Sequence, residues 1–328
     1  MVVNTWDGAA NSNWDDAGNW NSTGITDRIP TASDVVIIPD TSSINNPTLR
    51  QNQPCASFDM QANATVVGAG FKITVHEEDS NVAVDNDAII SGVLDLEIQT
   101  AGATTLDLMG TSGNFRNLTI NHASCDAFLI ANTTIDGNLT ITAGELTCAT
   151  DGGSARTLTV AGTTQVTGTL TATSQDLLLG SGLTSGWGLD IQSGGTFVGG
   201  SGVHTIGSIF SAAGGTRTIT LSSGTTTINS KNTSNGYTIN LASGTTFNHG
   251  SGTVIMTYAG DTLNQLSSGT LAFNTFTYNA SGRTLELRSP MSCAGNLTLT
   301  AGTLDTKSGT NHALTVTGHV SVTGTLTG

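Results

Sequence analysis

GNLTITAGEL, residues 137–146, returns as GNLTLTAGTL at residues 295–304. The return is wider than the phrase. At a constant offset of 158, Phe115 to Leu146 lies on Phe273 to Leu304 without a gap, and after a two-residue deletion LTVAGTTQVTGTLT from Leu158 lies on LTVTGHVSVTGTLT from Leu314. Residues 115–172 and 273–328 are therefore two copies of one super-repeat, the signature of a repeat architecture. Within the phrase, Leu139 and Ile141 alternate with Asn138, Thr140 and Thr142, giving one apolar and one hydroxyl face, as in a half-buried strand. Ala143-Gly144 is expected to end that strand and Leu146 to begin the next. The same grammar recurs in RTLTVAG, TQVTGTLT and YTINLASGTTF. A shorter period is also visible, with TITLSSGTTT from Thr218 matching TINLASGTTF from Thr238 at an offset of 20. Strands of three to five residues turned by Gly or Ser-Gly at that period suit one coil of a β-solenoid.

Composition points the same way. Gly numbers 41, Pro only 5, charged residues make up 10% of the 328, and no long segment has a helical apolar period. Such a mixture suits short strands and tight turns. No apolar run reaches membrane length, so no membrane insertion is expected. The predicted fold is all-β, a right-handed parallel β-helix with an N-terminal Trp-rich cap over 1–54 and β-solenoid repeats over 55–328. About 14 coils stacked at roughly 4.8 Å give a rod on the order of 65 Å long.

Residues 1–54 differ in texture. Trp6, Trp14 and Trp20 fall in TWDGAANSNWDDAGNW, ahead of RIPTASDVVIIPD, whose Val35 to Ile38 is the first clear strand. These rings are expected to plug the open end of the solenoid, since a terminal repeat must hide a core that has no neighbour. The alternative reading makes Trp6, Trp14 and Trp20 a sugar-stacking platform. Trp6-Asp7-Gly8, Asn19-Trp20, Pro30 to Ile37 and Asn46-Pro47-Thr48-Leu49, followed by GNLT repeats, together resemble the start of repetitive parallel β-helix proteins of bacterial surfaces and phage virions. The resemblance covers most of the chain and implies a scaffold; its motifs specify no chemistry.

Charge is concentrated early. Fifteen of the 24 acidic residues precede position 111, against Arg28, Arg50 and Lys72, so this third carries −12 of the formal −14. A solvated acidic face is the plain reading. A structural calcium site would draw on Glu77, Glu78, Asp79, Asp85 and Asp87 as hard oxygen ligands, although no EF-hand spacing is present. Asp95 and Glu97 alternate with Leu94, Leu96 and Ile98 and should point outward together, where a carboxylate pair could serve glycoside cleavage. Cys55, Cys125, Cys148 and Cys293 lie far apart with no CxxC. Cys293 replaces Ile135 in the super-repeat, so it reads as a buried small hydrophobe, whereas Cys125 and Cys148 could meet between adjacent coils. The six His are never paired at zinc-ligand spacing. Ten basic residues in an acidic chain do not suit a phosphate backbone, so no nucleic-acid partner is expected.

No nucleophile elbow or phosphate-binding loop is visible. The functional expectation is a non-enzymatic structural and adhesive component of a phage virion, a tail or capsid fibre, with cell-surface glycans as targets and other virion subunits or further copies of itself as partners. A fragment of a secreted bacterial cell-surface adhesin is the runner-up, and a polysaccharide-degrading tailspike the third reading. Met1 is followed almost at once by Trp6 with no apolar leader, which favours assembly in the host cytoplasm over secretion. VSVTGTLTG ends at the counterpart of Thr171 and Ala172, where the first copy runs on into a longer array, so the array is expected to continue past Gly328 or to be covered by another subunit.

Overall fold

The computed structural model of the chain describes residues 1–76, 82–148, 156–183, 185–258, 263–267, 271–307 and 309–328. Strands make up nearly all its regular structure, and the described helix is a single 3-10 turn, Ala17–Asn19. No helix among the described residues is long and apolar enough to cross a membrane. The chain forms two compact units, Met1–Asp151 and Gly152–Gly328. Each is a β-solenoid of stacked parallel strands, and the two together contain about 12 turns.

In the first unit each coil has three sides. One column of parallel strands runs through Val2–Trp6, Asp34–Ile38, Ser57–Met60, Val82–Asn86 and Gly102–Leu106 to the far halves of Leu118–Leu129 and Leu139–Cys148. A second runs through Gln53–Cys55, Lys72–Val75 and Asp95–Ile98 to the near halves of the same two long strands. The third includes Thr65–Val67 and Ile89–Ser91. Ile73 faces Leu96, Leu96 faces Leu118 and Leu118 faces Leu139, steps of 23, 22 and 21 residues.

Alternation decides which side chains enter the coil. Leu118, Ile120, Leu139 and Ile141 are all fully buried, each contributing roughly 1.5–3 kcal/mol from apolar burial, while Thr140 and Thr142 lie toward solvent. The Ala143-Gly144 break expected within the phrase is instead a corner inside one continuous strand, Leu139–Cys148. Gly144 takes φ +78° there, and a Cβ on it would come within 2.5 Å of the His122 carbonyl oxygen, so only glycine fits the turn.

The outer edge of the first parallel strand is closed locally. Val2–Trp6 pairs antiparallel with Trp20–Ser22 on one side and parallel with Asp34–Ile38 on the other. An antiparallel partner satisfies the row of backbone groups that a terminal parallel strand would leave open.

The second unit repeats the three-sided plan with less regular coils. Leu158 faces Leu177, Leu177 faces His204, His204 faces Thr226 and Thr226 faces Val254, steps of 19, 27, 22 and 28 residues. These uneven corners explain why there are fewer turns than a uniform period implies. They also correct the 20-residue match. Thr218 stacks on Thr246, 28 residues on, whereas Tyr237–Leu241 stacks on Ile209–Ser211, so the two look-alike strands occupy different sides of the coil. Arg217, 1% exposed, pins one such corner by donating to the carbonyls of Gly214 and Ser243 and to the Thr245 hydroxyl.

The long super-repeat survives in detail. Phe115 bridges Ile135 in the first unit as Phe273 pairs with Cys293 in the second, and Phe276 faces Leu297 as Leu118 faces Leu139. Even the register slip is shared, falling between Ile120 and Asn121 in one copy and between Tyr278 and Asn279 in the other. Cys293 is buried as its register predicts.

Candidate functional site

The three early tryptophans are core. Trp6, Trp14 and Trp20 are 1%, 0% and 0% exposed. Trp20 meets both other rings edge-on, at centroid distances of 5.0 and 4.8 Å, and Trp14 leans on Phe58. The Trp6 indole N–H donates to the Asn45 carbonyl at 2.6 Å and that of Trp20 to the Trp14 carbonyl at 2.8 Å. Rings held in this way stabilise the first coils and present no open face to a sugar.

The early acidic residues separate into two arrangements. Asp59 and Asp85 are opposed in register on adjacent coils, and Asp107 follows on the next, its amide bonded to the Val84 carbonyl. Burial and then the charge of Asp85 raise the Asp59 carboxyl above its ordinary range; burial, followed by the charges of Asp87 and Asp107, does the same to Asp85. Of the proposed calcium ligands, Asp85 and Asp87 are exposed at this column, and Glu77, Glu78 and Asp79 lie outside the described residues. Among the described residues no group of three or more His, Cys, Asp or Glu is placed to hold a metal ion.

Asp95 and Glu97 are differently engaged. Both alternate away from the core as expected, but Glu97 is only 6% exposed because its neighbours cover it. Lys72 pairs with one carboxylate oxygen, and the amides of Gln99 and Asn121 donate to the other at 2.6 and 2.8 Å. Burial raises the Glu97 carboxyl, yet these hydrogen bonds and the Lys72 charge outweigh it and hold the group below its ordinary value. Asp95 accepts from Arg116 Nε at 2.8 Å and Asn117 Nδ2 at 3.0 Å. A carboxylate kept ionised by three donors is a poor general acid, so Glu97 is not suited to supply the proton that glycoside cleavage needs.

The fourth tryptophan, not singled out in the sequence, occupies the outer surface of the second unit. Phe210 projects outward between the inward-facing Ile209 and Ser211, and the Trp187 ring stacks on it with centroids 4.9 Å apart and planes 16° from parallel. Both rings are half-buried. In the same outward column, one residue per coil, stand Gln165, Asp190, Phe210 and Asn240. Asp190 accepts from Gln192 Nε2 at 2.6 Å and from Gln165 Nε2 at 3.3 Å, and burial, ahead of these two bonds, raises its carboxyl above the ordinary value. The aromatic pair was hidden from sequence reasoning because its two members belong to successive coils, brought together only by the register Leu189 to Ile209.

A concavity of about 500 Å³ opens over the glycine corners of the same unit, lined by Gly282, Arg283, Thr284, Gly302, Thr303 and Thr325. Thr284, Thr303 and Thr325 stack in register along it. In the other copy of the super-repeat, the positions of Thr284 and Thr303 are Asp126 and Glu145, also in register, where burial and the Glu145 charge raise the Asp126 carboxyl. The core is shared between copies while the outward chemistry differs.

None of the four cysteines forms a disulfide, and all are buried. Burial pushes the Cys148 thiol up to about 12 and that of Cys293 up to about 11. Comparison with protein-family models, with curated proteins and with solved structures finds no match to this chain.

Proposed function

We propose that the protein is a non-enzymatic structural and adhesive component of a phage particle, part of a tail or capsid fibre. The observation that carries this reading is the division of labour in each coil. Most inward positions belong to an apolar stack, interrupted by buried polar side chains such as His204 and Thr226, and the outward columns of Thr, Asn, Gln and Asp vary between copies without disturbing it. A parallel stack hydrogen-bonded coil to coil resists bending and presents side chains at fixed spacing, which suits a load-transmitting surface for attachment. Buried thiols at all four cysteines fit assembly in a reducing cytoplasm. The N-terminal pattern from Trp6 to Leu49 supports the assignment through its resemblance to virion and surface β-helix proteins.

Gold-labelled antibody against the protein should decorate tails or capsids of purified particles from a lysed host. Label confined to the envelope of intact bacteria would move the assignment to a bacterial surface adhesin, the second reading that the same resemblance supports. Release of new reducing ends from host polysaccharide would replace both with a degrading tailspike.

A further inference from the structure

We propose that Trp187 and Phe210, with Asp190, Gln165, Gln192 and Asn240 around them, form a binding subsite for a neutral oligosaccharide whose hydroxyls are mostly equatorial. The inference deepens the adhesive reading and rests on it. Three features of the patch point to this ligand.

The first is the ring stack itself. Phe210 is flanked on its strand by inward-facing residues, so its ring contributes nothing to the interior, and Trp187 adds a second, nearly parallel ring beside it. The two half-buried rings cover one face of each other and leave an apolar patch partly open on an otherwise polar column. A pyranose with equatorial hydroxyls offers a matching flat face of C–H groups.

Hydrogen-bonding capacity surrounds that surface. The Asp190 carboxylate has lone pairs left after accepting from Gln165 and Gln192, and those amides retain their carbonyl oxygens. Acceptors for hydroxyl protons and amides that can both donate and accept are therefore fixed beside the rings. Gln165 to Asn240 spans three coil steps, roughly 14 Å, which accommodates a short chain of sugars lying along the stack.

Charge excludes the competing ligands. A carboxylate at the centre of the patch disfavours anionic polymers there. Nucleic-acid bases could stack on the rings, but none of Gln165, Asp190, Phe210 and Asn240 is a cation that would neutralise the phosphates.

The test uses the full chain titrated calorimetrically with cellohexaose and with chitohexaose. Saturable binding of at least one is expected. Trp187→Ala should abolish it, Phe210→Ala should weaken it, and Asp190→Asn should weaken it about tenfold, the loss expected for a hydrogen bond to a charged group. Thermal unfolding of the Trp187→Ala and Phe210→Ala variants should stay cooperative with only a small drop in midpoint, because both rings are half-buried and lie outside the apolar stack. No saturable heat with either saccharide, or binding undiminished in both ring variants, overturns the proposal. Attachment of the protein to host cells separates this failure from that of the wider reading. Attachment that survives Trp187→Ala removes the subsite and leaves the adhesive role, whereas saccharide binding without any attachment to cells removes the adhesive role and leaves the subsite.

Discussion

His204 Nε2 lies 2.6 Å from the Gly199 carbonyl oxygen, to which it donates, while its Nδ1 accepts the Leu177 amide at 3.3 Å. Both ring nitrogens are thus committed in the neutral tautomer, inside a coil and edge-on to Phe197. Burial lowers the imidazole below its ordinary 6.5, against the opposing pull of the Gly199 and Val203 backbone and of Asp176. A lowered value means the unfolded chain takes up the proton first. The contribution to stability is therefore complete above 6.5 and is lost as the pH falls towards the lowered native value, with a slope of at most about 1.4 kcal/mol per pH unit. The melting temperature should drop between pH 7 and pH 5, and the drop should shrink in His204→Gln. An equally steep fall in that variant would show that another group is responsible.

The aspartate column predicts the opposite sign. Asp59 and Asp85 have raised carboxyls, so their contribution is fully present below the unfolded value near 3.8 and is lost as the pH rises through the raised native values. Asp85→Asn should stabilise the first unit at pH 7 by roughly 0.5 kcal/mol, allowing for screening at an exposed position. Chemical denaturation at pH 7 and at pH 3.5 checks this, because the gain should vanish in acid.

Leu139 is the clearest probe of the stack. Leu139→Ala should destabilise the first unit by about 2–5 kcal/mol, and Leu139→Asp by more, since an unpaired carboxylate would replace a buried isopropyl group stacked on Leu118. Hydrogen exchange should show the added opening centred on Leu118–Leu129 and Leu139–Cys148. Protection unchanged along these two strands would mean that the register is wrong.

Gly144 and its super-repeat partner Gly302 should behave alike. Their φ values are +78° and +88°, and a Cβ would meet the His122 carbonyl oxygen at 2.5 Å in one and the Ala280 carbonyl oxygen at 2.4 Å in the other. Alanine at either position should lose about 1–3 kcal/mol, read as a lowered denaturation midpoint of the unit that carries it. A neutral result at one and a loss at the other would break the equivalence of the two copies.

The thiols should be silent until the fold opens. With Cys148 and Cys293 raised to about 12 and about 11, almost no thiolate exists at pH 8, and burial blocks access as well. Titration of the native protein with an aromatic disulfide reagent should release little chromophore over minutes and the full four equivalents in denaturant. Rapid native reaction at Cys293 would contradict its place in the core.

The parallel stack was legible because it is written locally. Alternation in NLTIT, glycines at many of the tight corners and a gapless match over 32 residues from Phe115 to Leu146 are all visible along the chain without knowing which strands stack. Burial of Leu139, Ile141 and Cys293 followed directly. Properties that need two coils at once were lost. Thr218 and Thr238 look alike in sequence yet face different partners, because corner length, not strand grammar, sets which strands stack. Glu97 looked like a solvated carboxylate until Lys72 and Asn121, from the coils before and after, closed over it.

What the sequence determined by itself, then, is the inside of this protein: period-2 patterning and obligatory glycines are properties of one short segment, and they dictate strands, turns and an apolar stack. What only the tertiary structure decided is the outside. Trp187 meets Phe210, and Asp59 meets Asp85, across coils of unequal length. Neighbours on a solenoid surface are chosen by the summed length of three sides and three corners, a quantity that no local pattern encodes.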